Sequence, residues 1–225
     1  MLETMLRLQQ QLNDETNGPG WEEGLTNRGK KIDWRRCIWL EAAELVESYP
    51  WKHWKNIDAA PDYDNIRIEA VDIWHFVMSE ALRLNRLEGD GDISKLARRI
   101  AETESYCDFA RGALKRPEDI YKQIATVESF VAALFAQAPI EELTARFFDV
   151  AALGELDLNT LYSLYVGKNI LNRFRQDHGY KEGSYLKEWE GREDNVVMQE
   201  ILAQNRGIGP EELYAKLEAA YPGAK

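Results

Sequence analysis

The chain has 225 residues, which is enough for one large domain or two small ones with a sizeable hydrophobic core. Its formal net charge of −11 argues against a surface that binds nucleic acid or an anionic membrane. The sequence has no apolar run of the roughly 18 residues that a membrane span needs, and its first residues lack the pattern of a signal peptide. Cys37 and Cys107 are typical of free thiols in a reducing compartment. We therefore expect a cytoplasmic protein.

Apolar residues recur with helical spacing along almost the whole chain, and no stretch has the alternation of a convincing strand. Segments rich in Gly, Pro and Asn separate the helical stretches. We predict an all-α fold, a multi-helix bundle formed by a single domain over residues 1–225, in which residues 88–138 could be a semi-independent helical insert. The predicted helices span residues 2–15, 33–49, 65–87, 93–114, 117–137, 140–153, 157–176, 194–204 and 210–221.

Two of these helices carry pairs of acidic residues one turn apart. Glu41 and Glu44 lie on the first, and Glu69 and Asp72 lie on the second. The spacing puts both members of each pair on the apolar side of their helix. Ionised carboxylates there are costly unless a partner neutralises them, and no Lys or Arg shares these faces. One such pair alone is usually solvated, but two pairs on neighbouring helices predict a four-carboxylate site for a hard cation such as Mg²⁺.

Cations and amides near the C-terminus predict an anion site. Lys168, Asn172 and Arg175 share one helix face, since they follow one another at helical spacings. The loop after this helix is rich in Gly, Tyr and Lys, and Tyr180 and Lys187 lie within it. Arg and Lys both suit phosphate groups. Taken alone, the segment is also typical of a solvated helix end, but together with a metal site it favours a polyphosphate bound with Mg²⁺.

Amide and aromatic side chains are candidates for binding a nucleobase. Gln10 and Asn13 share a face of the first helix, and Gln9 is adjacent. An amide carries both a donor and an acceptor, which matches the carbonyls and N3–H of uracil. Trp51 and Trp54 offer flat apolar surfaces for stacking. The alternatives are an ordinary surface helix for the amides and core packing for the tryptophans.

His75 follows Asp72 at a spacing that is also found in di-iron carboxylate proteins. Those proteins need a Glu-x-x-His pair on each of two helices, whereas only one such acidic pair occurs in this sequence. We therefore interpret His75 as a packing residue or as a group that orients a metal ligand. The sequence contains no nucleophile motif, P-loop or Gly-rich dinucleotide loop.

Together these residues resemble the dimeric, all-α dUTPases, a family within the all-α nucleoside triphosphate pyrophosphatase superfamily. The Glu-x-x-Glu and Glu-x-x-Asp pairs are typical of the superfamily, and the C-terminal segment is specific to the dUTPases within it. The resemblance covers residues 1–77 and 165–200, while no motif covers the region near 88–155. The matching segments are LQQQLNDETNGPGW, IDWRRCIWLEAAEL, SYPWKHWKN, NIRIEAVDIWHF and GKNILNRFRQDHGYKEGSYLKEWEGREDN.

The resemblance implies a role for each part of the site, and also a homodimer that hydrolyses dUDP as well as dUTP. The implied Mg²⁺ ligands are Glu41, Glu44, Glu69 and Asp72. The implied uracil contacts are Gln10, Asn13 and Trp54, with Gln9 as a substitute for Gln10. The implied deoxyribose contacts are His75 and Phe76. The implied phosphate contacts are Lys168, Asn172, Arg175, Tyr180, Lys187 and Asn195.

We predict a Mg²⁺-dependent dUTP diphosphatase that forms dUMP and pyrophosphate by means of a metal-activated water. Glu41 or Glu44 would orient or deprotonate that water. The alternatives are an all-α pyrophosphatase for another nucleotide such as dCTP, a di-metal carboxylate oxidoreductase, and a non-enzymatic helical interaction module. Measuring which nucleotides are cleaved, with and without Mg²⁺, separates these functions.

Overall fold

The computed structural model describes residues 1–56, 58–205 and 207–224. Helices fill most of this part of the chain, and the sheet within it is a two-stranded antiparallel hairpin of Glu188–Trp189 (β1) and Arg192–Glu193 (β2). The predicted all-α fold is therefore confirmed. None of the helices described here has the length and apolar character needed to cross a membrane. The helices are α1 (Leu2–Asn17), α2 (Trp34–Glu47), α3 (Tyr63–Glu88), α4 (Ile93–Ala101), α5 (Glu104–Ala110), α6 (Ile120–Phe135), α7 (Ile140–Leu153), α8 (Leu158–Asp177), α9 (Asp194–Gln204) and α10 (Pro210–Ala220).

The chain divides into two compact units, unit 1 (Met1–Tyr162) and unit 2 (Ser163–Lys225). In unit 1, α3 packs against α1, α2 and α7, and its pairing with α2 is the most extensive. The predicted insert, residues 88–138, comprises α4 to α6, and all three of these helices pack on α7. The organisation of the whole chain as a single domain stays a prediction.

Aspartates cap the two helices that carry the acidic pairs. As predicted, Oδ1 of Asp33 accepts a hydrogen bond from the backbone N–H of Arg36 and caps α2. Oδ1 of Asp62 accepts from the backbone N–H of Asn65, so α3 begins at Tyr63, slightly earlier than predicted. Each N-cap of this kind stabilises its helix by about 1 kcal/mol. The caps fix where each helix starts, and therefore help to define which residues share its buried face.

Apolar and aromatic side chains form the core of unit 1. Ile38 and Leu45 of α2 and Ile73 of α3 are completely buried. Trp74 of α3 stacks on Phe147 of α7, with ring centroids 4.6 Å apart. An aromatic pair in this arrangement adds about 0.5–1.5 kcal/mol to the stabilisation that burial alone provides. Contacts with α2 and with α7 therefore hold α3 in place, and with it the acidic residues that α3 carries.

Two predicted helix boundaries were wrong. Residues 93–114 contain two helices, because the side chain of Thr103 accepts a hydrogen bond from the backbone N–H of Tyr106 and caps α5 separately. The next helix, α6, begins at Ile120, since the side chain of Asp119 caps it there. Both differences are local, and they leave the helical character of the region unchanged.

A second aromatic core organises unit 2. Phe174 of α8 contacts Trp189 of β1 and Tyr221, which follows α10, at centroid distances of 5.7 and 5.4 Å. The hairpin that carries Trp189 was not predicted. Its turn residues, Glu190 and Gly191, have φ of 53° and 80°. Two consecutive positive φ values are typical of a tight hairpin turn, and Gly191 adopts this conformation without steric cost.

Candidate active site

Three carboxylates of unit 1 converge where α2 packs on α3. Glu41 lies on α2, and Glu69 and Asp72 lie one turn apart on α3. Each offers a carboxylate oxygen, and these oxygens all lie within 4.8 Å of one another. We call these three residues the carboxylate group. Glu69 is buried and the other two are half-buried. Because like charges at such distances repel one another, the arrangement favours a bound cation.

The donor atoms of the carboxylate group fit a hard divalent cation. Mg²⁺ prefers oxygen ligands at about 2 Å, so that two ligands of one ion lie about 3–4 Å apart. The three oxygens lie within 4.8 Å of one another, which is close to that range. Cys37 precedes Glu41 by one helical turn, and burial, followed by the charge of Glu41, raises the pKa of its thiol. The thiol is therefore protonated at neutral pH, and it does not turn this group of oxygens into a thiolate site.

Glu44, the fourth predicted ligand, lies outside the carboxylate group. Its side chain is exposed and lines a surface cavity of about 370 Å³ together with Ser48, Lys52 and Asn65. The apolar stripe was expected to include Glu44, but α2 turns Glu41 toward α3 and leaves Glu44 facing solvent. Among the described residues, the Glu44 carboxylate has no hydrogen bond or ion pair that would hold it in this position.

Polar side chains of α1 and α3 form a buried cluster in unit 1, which we call the amide cluster. Nε2 of Gln9 donates to Oδ1 of Asn13 at 3.2 Å and to Oγ of Ser79 at 3.0 Å. Nδ2 of Asn13 donates to the same Oγ at 3.0 Å. Nδ1 of His75 lies 2.8 Å from Oε1 of Gln9, so this ring nitrogen carries a proton and donates it. All four side chains are buried, and a network connected in this way is rigid.

Gln10, which was predicted to lie beside Asn13 on one helix face, is outside the amide cluster. Its Nε2 donates to Oδ1 of Asp14 at 3.0 Å and to Oε1 of Glu22 at 3.1 Å. Gln9 contacts Asn13 instead. These two residues are separated by one helical turn, and both lie on the side of α1 that packs on α3. Gln9, which sequence analysis treated as a substitute for Gln10, therefore occupies the position beside Asn13.

The aromatic candidates occupy two places in unit 1. Phe76 is half-buried on α3, and its ring stacks on Trp34 of α2 with centroids 6.0 Å apart. Trp54 lies in the loop between α2 and α3 and is 64% exposed. The rings of Trp51 and His53 lie nearly perpendicular to it, at centroid distances of 5.6 and 4.8 Å. One face of an exposed, supported indole is suited to stacking on a flat ligand.

A buried aspartate organises the predicted phosphate-binding residues of unit 2. Nε and Nη2 of Arg175 donate to the two carboxylate oxygens of Asp194 at 2.8 and 2.7 Å. Nη1 of Arg175 donates to Oδ1 of Asn172 at 3.2 Å. Nζ of Lys168 donates to Oδ1 of Asn195 at 2.7 Å, and Nη2 of Arg175 also reaches this oxygen, at 3.4 Å. The structure therefore brings four of the predicted residues together around one that was not predicted.

Asp194 was missed by sequence analysis although it is completely buried. Burial by itself raises the pKa of this carboxyl, but hydrogen bonds and charge from Arg175, with a hydrogen bond from Tyr185, bring the pKa below its ordinary value. The hydroxyl of Tyr185 donates to Oδ2 at 2.7 Å. Burial, with the neighbouring carboxylate, raises the pKa of Tyr185. Asp194 is therefore ionised at neutral pH. Its position at the start of α9 is also usual for an acid that only stabilises a helix N-terminus.

Tyr180 and Lys187 are exposed and less firmly held than the cluster around Asp194. The ring centroid of Tyr180 lies 5.8 Å from the guanidinium carbon of Arg175. Nζ of Lys187 lies 3.7 Å from a carboxylate oxygen of Glu193, and each side chain of this pair is 55% exposed. A surface ion pair of this kind contributes little to stability. Both residues could therefore reorient toward a ligand at low cost.

Comparison with known proteins agrees with this architecture. Residues 1–180 match the model of a dUTPase family. The match includes the middle of the chain, for which sequence analysis found no motif, and it ends before Lys187 and Asn195. A search of curated proteins finds no match. The helical fold and the convergence of Glu41, Glu69 and Asp72 are consistent with this match. Because the family model covers most of the chain, this protein belongs to the dUTPase family, and its enzymatic activity is that of a dUTP diphosphatase.

Proposed function

We propose that this dUTP diphosphatase requires Mg²⁺, hydrolyses dUTP to dUMP and pyrophosphate, and also hydrolyses dUDP to dUMP. The observation that carries the proposal is the convergence of Glu41, Glu69 and Asp72 in unit 1. These residues supply oxygen ligands only, which is the chemistry that Mg²⁺ prefers. Family membership supports dUTP as the substrate.

The carboxylate group would hold the cation, and Glu44 would turn inward to complete the set. The exposed carboxylate of Glu44 is one turn from Glu41 on α2, so a change of its rotamer would move it toward the carboxylate group. Bound Mg²⁺ supplies charge neutralisation for the phosphates and increases the acidity of water. The cation is accordingly an essential cofactor in this proposal.

Glu41 or Glu44 would position the attacking water and accept its proton. Glu41 is half-buried beside the other acids, whereas Glu44 is exposed. Glu41 lies beside Glu69 and Asp72, so its carboxylate would be next to a water bound to the cation. Hydrolysis then proceeds by direct attack of water on phosphorus, without a covalent bond between substrate and enzyme.

The amide cluster would bind the uracil edge. Asn13 provides the main contact and Gln9 supports it, in place of Gln10. Stacking on the exposed ring of Trp54 would add about 1–3 kcal/mol of binding free energy. His75 and Phe76 would contact the deoxyribose, since they follow the acidic pair on α3. Both remain proposals that rest on the family resemblance.

The cluster around Asp194 would provide phosphate contacts. Lys168 and Arg175 bring positive charge, and Asn172 and Asn195 bring amide donors. Tyr180 and Lys187 would add contacts from exposed positions. Such groups stabilise negative charge that develops on the phosphate oxygens during cleavage.

The oxidoreductase alternative receives no support from the site. His75 contacts Gln9 at 2.8 Å, and within the described residues it is not part of the group that could hold a metal. The homodimer and the cytoplasmic location stay predictions from the resemblance and from the composition. Light scattering in solution would test the first of these, with twice the chain mass as the expected result.

Calorimetric titration of Mg²⁺ into the protein tests the proposal directly. We expect saturable binding to the wild-type protein and at least ~10-fold weaker binding to Glu69→Gln, because the variant loses one anionic ligand. Glu47→Gln is the matched control, since Glu47 is an exposed acid of α2 that pairs with Lys52 and lies outside the carboxylate group. Equal Mg²⁺ affinity in all three proteins would show that the carboxylate group is not the metal site.

A further inference from the structure

We propose that Ser79, together with Gln9, holds the side-chain amide of Asn13 in one orientation, and that this orientation selects uracil over cytosine. The inference rests on the proposed function, because it assumes that Asn13 contacts the base. It adds a positioning residue on α3 that has no role in the family resemblance described above. The side chains of Gln9, Asn13 and Ser79 are all buried and are joined by hydrogen bonds.

The Ser79 hydroxyl has a complete set of hydrogen-bond partners. Its oxygen accepts one N–H from Gln9 and one from Asn13, each at 3.0 Å. Its proton is donated to the backbone carbonyl of His75 at 2.9 Å in preference to Oδ1 of Asn13, which lies 3.5 Å away. A hydroxyl offers two lone pairs and one proton, so all of its capacity is used. Ser79 is completely buried, and water does not compete for these positions.

These partners fit only one orientation of the Asn13 amide. Its Nδ2 faces the lone pairs of Ser79 Oγ, and its Oδ1 faces an N–H of Gln9. If the Asn13 amide turned over, its NH₂ group would face the NH₂ group of Gln9, and two donors cannot form a hydrogen bond with each other. If Gln9 turned over as well, the amide oxygens of Gln9 and Asn13 would both face Ser79 Oγ, whose one proton is already donated. That change would also require the other tautomer of His75, whose Nδ1 lies 2.8 Å from Oε1 of Gln9. Each amide is thus fixed by the next group in the cluster.

The fixed amide presents a defined pattern to a base. Beyond its bonds to Ser79 and Gln9, Asn13 keeps a second N–H on Nδ2 and a second lone pair on Oδ1. Uracil has an N3–H donor next to a carbonyl acceptor, which matches this pattern. Cytosine has an N3 acceptor next to an amino donor, which is the reverse. An Asn13 amide that turned freely would pair with either base, whereas the fixed one pairs with uracil and not with cytosine.

Thymine provides an internal control for the role of Ser79. Its N3–H and carbonyls are arranged as in uracil, so the orientation of Asn13 does not distinguish the two. Loss of the Ser79 hydroxyl should therefore change the preference for dUTP over dCTP and leave the preference for dUTP over dTTP unchanged. General damage to the fold would not separate the two ratios in this way.

The test compares kcat/KM for dUTP, dCTP and dTTP in Ser79→Ala and the wild-type protein. We expect the dUTP-to-dCTP ratio to fall at least about tenfold, with a raised KM for dUTP and little change in kcat, and the dUTP-to-dTTP ratio to stay within about twofold. Thr144→Val is the matched control, because Thr144 is also a buried helix hydroxyl that donates to a carbonyl one turn before it. It should alter neither ratio.

Further variants separate this inference from the proposed function. Asn13→Ala tests the base contact itself, and an unchanged dUTP-to-dCTP ratio there would overturn the function of the amide cluster. If Asn13→Ala lowers the ratio but Ser79→Ala does not, only the role of Ser79 is wrong. The double variant Asn13→Ala/Ser79→Ala should have the same dUTP-to-dCTP ratio as Asn13→Ala alone, because Ser79 acts through Asn13. Gln9→Met removes the donor to Asn13 and should act in the same direction as Ser79→Ala, so an unchanged dUTP-to-dCTP ratio there also contradicts the inference.

Discussion

Arg175 and Asp194 form a bidentate ion pair inside unit 2, with N–O distances of 2.8 and 2.7 Å. The carboxylate is completely buried and the guanidinium side chain is 11% exposed. Lys168 and Asn195 form a further hydrogen bond next to this pair. Unit 2 therefore holds its proposed phosphate-binding cations in place by an interaction that also stabilises the unit itself.

Replacing Asp194 with Asn should destabilise unit 2. The change leaves the Arg175 cation buried without its counter-charge, which typically costs about 3–5 kcal/mol. Urea unfolding, followed by near-ultraviolet circular dichroism, measures the loss. Glu193→Gln is the control, because its pair with Lys187 is exposed and should contribute little. If the two variants unfold at the same urea concentration, the buried pair has no special role in stability.

Acidification should remove the stabilisation that the Arg175–Asp194 ion pair contributes. The pKa of Asp194 is lower in the folded protein than its ordinary value of 3.8. A carboxyl with a lowered folded-state pKa stabilises the protein fully above the unfolded-state pKa, and this stabilisation is lost as the pH falls through the folded-state pKa. The difference in unfolding free energy between the wild-type protein and Asp194→Asn should therefore be constant from pH 7 to about pH 5 and shrink below about pH 4. A difference that does not depend on pH would contradict the ionised state of Asp194.

Glu44 gives a separate test of the metal site, because it is a proposed ligand that the structure places outside the carboxylate group. We expect Glu44→Gln to lower turnover at least ~10²-fold at a fixed Mg²⁺ concentration, as loss of a ligand disturbs both the cation and the water. Asp72→Asn serves as the reference variant for a ligand inside the group. Near-normal turnover for Glu44→Gln, with a large loss for Asp72→Asn, would restrict the site to three carboxylates.

Gln9 and Gln10 should differ in their effect on substrate binding. Gln9 contacts Asn13 and Ser79, whereas Gln10 donates to Asp14 and Glu22. Gln9→Ala should raise KM for dUTP about tenfold, since loss of one partner leaves buried polar groups unsatisfied at a cost of about 1–3 kcal/mol. Gln10→Ala should leave KM almost unchanged. Steady-state kinetics on both variants measures the two KM values. A larger increase for Gln10→Ala than for Gln9→Ala would show that Gln10 is the base contact, as the sequence predicted.

Helical periodicity was sufficient to find the residues whose positions depend on one helix at a time. The spacing of Glu69 and Asp72 placed both on one face of α3, and the structure brings them together with Glu41. Asp33 was correctly predicted as a cap because capping depends on neighbouring residues only.

The remaining residues depend on contacts that are distant in the sequence. Gln10 was predicted as the main base contact beside Asn13, because helical spacing does not show which side of α1 packs on α3. Ser79 and Asp194 are important through their partners, and those partners are identified only by the folded structure. Glu44 shows the same limit, since periodicity placed it in the apolar stripe and the packing of α2 leaves it exposed.

Pyrophosphate release from each of the common deoxynucleoside triphosphates, measured with Mg²⁺ and with excess chelator, tests the central claim most directly. The proposed function predicts rapid release from dUTP with Mg²⁺, little release from dCTP and dTTP, and loss of activity on chelation, since the metal is needed to activate water. dUMP should be the nucleotide product. Equal cleavage of dUTP and dCTP, or full activity without a divalent cation, would contradict a Mg²⁺-dependent enzyme that selects uracil.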